Sequence, residues 1–416
     1  MLLEVQGSPT VLRVMNRDNS ASWADIAEEG ESTGKEDGEM ESQEARELDE
    51  DQINEDDVGS DGDTMSKSLV SAVPKHTSTF LSCYPAPPNP ASSHGPSNSR
   101  KGLISSALDC ESNVAKTITV DKSGTGNFVT IQGAIDSVPS NNNQWIRIFV
   151  KPGIYIERVM IDQHKPCILL QGASRTTTII QDNAHDAINT SATFTLRAEN
   201  FVAKNIGFKN TYNLEPPSGG PKRIPVVAAR IIGDKASFHS CGFFGLQDTL
   251  WDQHGRHFFN QCYIQGAVDF IFGAGQSIYE GCIVNVTARG LQPSNDVAGY
   301  ITAQRRNSSD DPSGFVFKNS NVVGNGLAYL GRAWGPYSRV IFVKSFLSQV
   351  VVPQGWDAWS FIGHEQNFMY AESDCTGPGS DTSKRVTWEK KISDSELKDF
   401  TQISFINKEG WIEKQP

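Results

Sequence analysis

The chain has 416 residues, with 37 Lys and Arg against 49 Asp and Glu, for a formal net charge of −12. Eighteen of the acids fall between Asp25 and Asp63, against only Lys35 and Arg46, so the remainder of the chain is near neutral and faintly basic. This bias is too weak for a nucleic-acid binder, and no apolar run approaches the ~20 residues that span a bilayer.

In chain order, residues 1–108 read as a disordered region. The acidic block lacks the large apolar side chains needed to offset the entropy of ordering it. Pro85 to Gly102 is a Pro/Ser-rich linker. Met1 to Arg13 carries Glu4 where a signal peptide would have its apolar core, so no cleavable signal is expected at this N-terminus. From Thr117 the texture changes to short β-branched runs (TITV, IRIFV, CILL, TTTII, TFTL) separated by Gly, Asn, Asp and Ser. Val129 to Pro139 is predicted helical, with Ile131, Ala134, Ile135 and Val138 on one face. A second helix is expected over Asp394 to Phe400.

An internal repeat then appears. Phe238-x-x-Cys241, Phe259-x-x-Cys262 and Tyr279-x-x-Cys282 share one pattern at intervals of 21 and 20 residues. NFVAKNIGF and GFVFKNSNVV echo it more weakly. A period near 20 built from short strands indicates stacked coils. The absence of a leucine framework and the Asn/Gly turns favour a parallel β-helix. Equivalent residues one period apart should then sit on adjacent strands, about 4.8 Å apart. The repeat cysteines are expected to be small apolar core residues. No CxxC pair is present, which removes zinc-ribbon and thioredoxin-like readings. The P-loop, HExxH and GxSxG signatures are also missing.

The same period applies to two acids. Asp248 in LQDTLW and Asp269 in VDFIFG are 21 residues apart, one coil. Neighbouring strands would bring the two carboxylates together, where both cannot ionise easily. One pKa must rise, which yields an acid and a base or nucleophile from a single residue type. Arg332 in YLGRAWG can hold one of them ionised, and Trp334 offers a face on which a sugar ring could stack.

These residues carry a resemblance. From about Thr117 to Trp411 the chain resembles the plant pectinesterases, or pectin methylesterases. The matching segments, in family order, are VDKSGTGNFVTIQGAIDSVP, KPGIYIERV, GLQDTLW, VDFIFG, YLGRAWGPYSRVIF and VPQGWDAW. The resemblance implies a right-handed parallel β-helix over residues 109–416. It implies hydrolysis of the C6 methyl ester of polygalacturonate with no metal or organic cofactor. It implies a secreted, cell-wall protein, expected to be monomeric, with pectin as its partner and a proteinaceous pectinesterase inhibitor as a possible second one. Carried over by motif, Asp269 matches the nucleophile, Asp248 the proton donor and later base, and Gln247 an oxyanion-hole donor. Arg332 and Trp334 match substrate-site residues, with Arg332 also pairing the nucleophile.

Three departures stand out. The family carries a second oxyanion glutamine in a segment resembling HQAVALR; here IPVVAAR places Pro225 at that position. GRAW replaces GRPW, with Ala333 for Pro. The first 108 residues read as neither a signal nor a helical pro-domain, although sequons at Asn189, Asn285 and Asn307 agree with a secretory route. The alternatives are a weakened or inactive pectin-binding β-helix, against which the intact Asp248, Asp269, Gln247 and Arg332 argue, and a polygalacturonase on the same solenoid.

Overall fold

A computed structural model describes residues 110–214, 223–289 and 297–416. The expected disordered region and linker lie outside them. Within the described residues the strands form three sheets, of ten, eight and eight strands, and neighbours run parallel. The first sheet runs from Glu111–Val120 to Met369–Ser373, the second from Val159–Ile161 to Trp356–Asp357, and the third from Gly153–Ile156 to Phe346–Leu347. Each coil contributes one strand to each sheet. This is the expected right-handed parallel β-helix.

The repeat seen in the sequence is the register of the first sheet. Phe238, Phe259, Tyr279, Phe317 and Phe342 are successive partners across five strands. Their rings stack face to face at 5.0, 4.5, 4.5 and 4.4 Å. The spacing follows the strand separation, and each such pair adds about 0.5–1.5 kcal/mol beyond burial. Two residues after each strand's aromatic, the chain turns a left-handed corner at Ser240, Gln261, Gly281, Asn319 and Lys344. The residue after the corner points inward: Cys241, Cys262 and Cys282, then Ser320 and Ser345, all buried. The three cysteines are free core residues, as expected. The serines extend the ladder by bonding, since Cys282 and Ser320 each donate a backbone N–H to the next coil's hydroxyl, both at 3.1 Å.

One covalent link escaped the sequence reading. Cys110 and Cys167, 57 residues apart, form a disulfide that ties the start of the first strand to the second coil.

The first helix is shorter than expected, Ile131–Asp136, with Thr130 capping it. Glu157 accepts the N–H groups of Ile131 and Gln132 at 2.9 and 3.0 Å, satisfying donors that a helix start leaves unpaired. Ile131, Ala134, Ile135 and Val138 are buried as expected and close the first coil. The second helix, Asp394–Thr401, begins with a capping box from Ser393 and Glu396. Its Leu397, with Phe405, Ile406 and Trp411, packs on Phe258, Ile278, Val316 and Ile341. The C-terminal segment therefore covers the outer face of the first sheet and leaves that of the second for a site.

Candidate active site

The second sheet alternates inward and outward rows. Phe194, Ala229, Leu250, Ile271, Thr302, Gly331 and Trp356 are successive partners in one row, and the apolar members are buried in the core. The next row, one residue on, is Thr195, Arg230, Trp251, Phe272, Ala303, Arg332 and Asp357. Trp251, Phe272 and Ala303 form a small apolar cluster outside the main core, with Trp334 packed against it.

Asp248 lies two residues before the strand Leu250–Asp252, and Asp269 is the second residue of the strand Val268–Gly273. Gln247 bridges to Val268, and Leu250 pairs with Ile271, so the register sets Asp248 beside Asp269 as the period requires. The Asp248 N–H donates to the Val268 carbonyl at 3.0 Å. Both residues adopt left-handed backbone, φ 61° for Asp248 and 48° for Asp269. Aspartate tolerates that region better than most side chains. The strand of Asp269 is also irregular against Gly299–Gln304, with a register shift between Val268 and Ile271 that absorbs the extra residue. Backbone strain of this kind clusters where side chains must be aimed.

Asp269 is held by Arg332, whose Nε donates to Oδ1 at 2.8 Å while Nη2 donates to Oδ2. This fork is the strongest geometry a guanidinium offers a carboxylate. Burial pushes the Asp269 carboxyl above its ordinary value, and the Arg332 charge and its hydrogen bonds oppose that rise. Asp248 stands differently. Burial first, and the Asp269 charge second, push its carboxyl well above the usual range, with Arg332 and a Gln247 hydrogen bond pulling the other way. Of the pair, Asp248 is therefore the one that keeps a proton, and Asp269 the one that loses it.

Trp334 sits close by, its ring 5.8 Å from that of Phe272 and 4.8 Å from the Arg305 guanidinium. The fork thus joins Arg332 to Asp269, the register joins Asp248 to Asp269, and Gln247 bonds Asp248. Pro225 is exposed, and its neighbour Val226 donates to the Gln247 carbonyl at 3.3 Å. Ala333 is buried in the core.

Three further residues were not found from the sequence. The Arg332 guanidinium lies over the rings of Tyr300 and Trp359, at 4.4 and 4.2 Å. Asp357 accepts from the Tyr300 hydroxyl and the Trp359 backbone N–H. Tyr300 follows a longer coil that breaks the 21-residue period. Asp357 and Trp359 lie in a segment whose only signal was family likeness. Among the described residues no group of three or more His, Cys, Asp or Glu is arranged to hold a metal ion.

Comparison with known proteins agrees with this architecture. The family model described as Pectinesterase matches residues 117–409. The chain is 51% identical over 303 residues to Probable pectinesterase 29 of Arabidopsis thaliana, covering 72% of this chain and 89% of that protein. It is 52% identical over 303 residues to Probable pectinesterase 55 of the same plant, covering 72% and 91%. Among solved structures, the pectin methylesterase from carrot superposes with a TM-score of 0.65 at 30% identity, covering 71% of this chain and 94% of that one. With the coils, the paired aspartates and these matches in hand, the chain belongs to the pectinesterase family.

Proposed function

We propose that this chain removes C6 methyl esters from pectin, releasing methanol, with Asp269 as nucleophile and Asp248 as acid and then base. The observation that carries this reading is the unequal aspartate pair: one carboxylate forked by an arginine, one carboxyl kept protonated by burial and its neighbour. Asp269 attacks the ester carbonyl carbon. The carbonyl electron pair moves to oxygen, where Gln247 donates a hydrogen bond. Collapse breaks the C–O bond to the methoxy group, which takes the Asp248 proton and leaves as methanol. Asp248, now ionised, takes a proton from water as that water attacks the acyl-Asp269, and Asp269 is freed. Trp334 stacks a sugar ring, and the new carboxylate of the polymer suits a body without strong negative charge. Methanol release from methylated pectin tests the activity. Release of reducing ends instead would indicate chain cleavage and defeat it.

The Cys110–Cys167 disulfide supports an oxidising compartment, in keeping with secretion to the cell wall. The sequon residues Asn189 and Asn307 are exposed, and Asn285 is half-buried on a strand of the third sheet. Among the described residues no helix is long and apolar enough to cross a membrane. A proteinaceous pectinesterase inhibitor is proposed as a further partner on family grounds alone, and the monomeric state likewise.

The folded unit is proposed to be residues 109–416. A chain starting at Asp109 keeps Cys110 and the first strand, and should melt within error of the full chain. A fall of many degrees would show that the preceding residues contribute to the fold.

Pro225 makes a sharper expectation. An oxyanion donor contributes on the order of 10²- to 10³-fold in rate, and proline has neither a side-chain donor nor a backbone N–H. Pro225→Gln should raise kcat about tenfold or more with little change in KM, measured by steady-state kinetics on methylated pectin. A kcat that stays put or falls would make Pro225 a structural residue of its coil, and the idea of a missing donor would be dropped.

A further inference from the structure

Arg332 does not face Asp269 directly. Its register partners are Ala303 on one side and Asp357 on the other, and Ala303 in turn pairs with Phe272, three residues beyond Asp269. To fork Asp269, the Arg332 side chain must reach back across the strand Gly299–Gln304. A long, flexible side chain loses much rotamer freedom when held in one such path, so something must hold it.

Two rings do so. The guanidinium lies over Tyr300 and over Trp359, each within the distance of a cation–π contact. Neither ring is held by packing alone. Tyr300 donates its hydroxyl to Asp357 Oδ2 at 2.9 Å, and the Trp359 backbone donates to Asp357 Oδ1 at 2.8 Å. Trp359 is 41% exposed and has φ of +49°, a left-handed conformation costly for so bulky a residue. Burial, then the Asp357 charge, push the Tyr300 phenol up, so it remains a donor. The two oxygens of one carboxylate thus serve the two rings that meet one guanidinium.

We propose that Asp357 is a positioning residue for the reaction: by holding Tyr300 and Trp359 it fixes Arg332 in its fork on Asp269, without itself touching the substrate. This rests on the reading of Asp269 as nucleophile. The charged and titratable groups facing Asp269 are Asp248, Arg332, Asp357 and, from the first sheet, the buried Tyr370 phenol, which stays neutral because burial pushes it up, with the Tyr300 phenol beside Arg332. Of these, Asp357 has two opposed effects. Its charge disfavours the Asp269 carboxylate, while its hydrogen bonds secure the arginine that favours it.

Two variants separate the effects. Asp357→Asn and Asp357→Ala both lack the charge; asparagine can still accept the Trp359 N–H at Oδ1 and donate from Nδ2 to the Tyr300 hydroxyl oxygen, whereas alanine can do neither. Positioning requires that the alanine variant have a kcat about tenfold below the asparagine variant, with KM within about twofold. The acid limb of its kcat profile should also lie at higher pH, because a loosened Arg332 protects the Asp269 carboxylate less. Trp359→Ala should resemble Asp357→Ala, and Trp359→Phe should restore most of the rate, which keeps the test open if Asp357→Ala does not fold. Coincident pH profiles and rates for the two Asp357 variants would overturn the proposal. A rise in KM at unchanged kcat in Trp359→Ala would also overturn it, making that ring a sugar platform. If Asp269→Asn is inactive while the Asp357 variants coincide, only the positioning role falls; if Asp269→Asn is active, the nucleophile assignment falls and the positioning role with it.

Discussion

Asp269→Asn is expected to lower methanol release by on the order of 10³-fold or more, because an amide nitrogen or oxygen is a poor substitute for a carboxylate nucleophile and no second group in the pair can take its place. Among the described residues the register sets the Asp248 carboxyl beside Asp269, and it is held protonated by burial and by the Asp269 charge. Removing Asp269 takes away that charge and leaves Arg332 without its fork. Asp248 should then ionise more readily, and an ionised Asp248 can neither donate to methanol nor reach the Asp269 position. The effect on stability has two opposed parts. The cost of burying the Asp269 charge is removed, while a mostly buried guanidinium loses a bidentate partner. The melting temperature should therefore stay within about 4 °C of the wild type. A folded variant that still releases methanol at a substantial fraction of the wild-type rate would end the nucleophile assignment.

What the sequence made legible was periodic. The aromatic-x-x-Cys repeat is the left-handed corner and inward step of the first sheet, repeated once per coil, and it carried the fold. The same period carried the aspartate pair, since Asp248 and Asp269 differ by one coil and adjacent parallel strands turn that into contact. What did not repeat was hidden. The Cys110–Cys167 bridge joins residues 57 apart, between chain segments that share no motif. Arg332 was visible as an arginine among glycines, but its contact with Asp269 crosses an intervening strand and coils of unequal length. Tyr300, Asp357 and Trp359 interact through the lateral path of the Arg332 side chain, which no spacing in the sequence encodes. The first helix shows a smaller failure of the same kind. Its periodic face extended to Val138, which is buried, but the helix itself ends at Asp136 with Ser137 as its cap. A last turn, in which the Val138 N–H donates to the Ile135 carbonyl at 3.0 Å, carries Val138 into the core beyond the helix.

Asp248→Asn tests the other half of the pair, and its expected signature is different. General acid catalysis contributes about 10²- to 10⁴-fold, so turnover on the methyl ester should fall by an amount in that range. Stability should move the other way. The folded protein holds a proton on Asp248 above the pH at which the unfolded chain releases it, because burial and Asp269 raise its carboxyl. The native state then binds more protons than the unfolded state, and wild-type stability declines as pH rises from the ordinary aspartate range toward the raised value. An asparagine has no proton to lose, so the variant should match the wild type in acid and melt higher as neutrality is approached. Chemistry separates the acid and base steps. An aryl ester of galacturonate expels a phenolate that needs no proton, so the variant should regain its first step on that substrate. Water attack still lacks its base, and acyl-Asp269 should accumulate as a burst of about one phenolate per protein molecule, with the matching mass added to the protein. Asp269→Asn should give no burst on the same ester. Absence of a burst from Asp248→Asn, or full rescue through many turnovers, would show that Asp248 is not the group that serves both leaving alcohol and water.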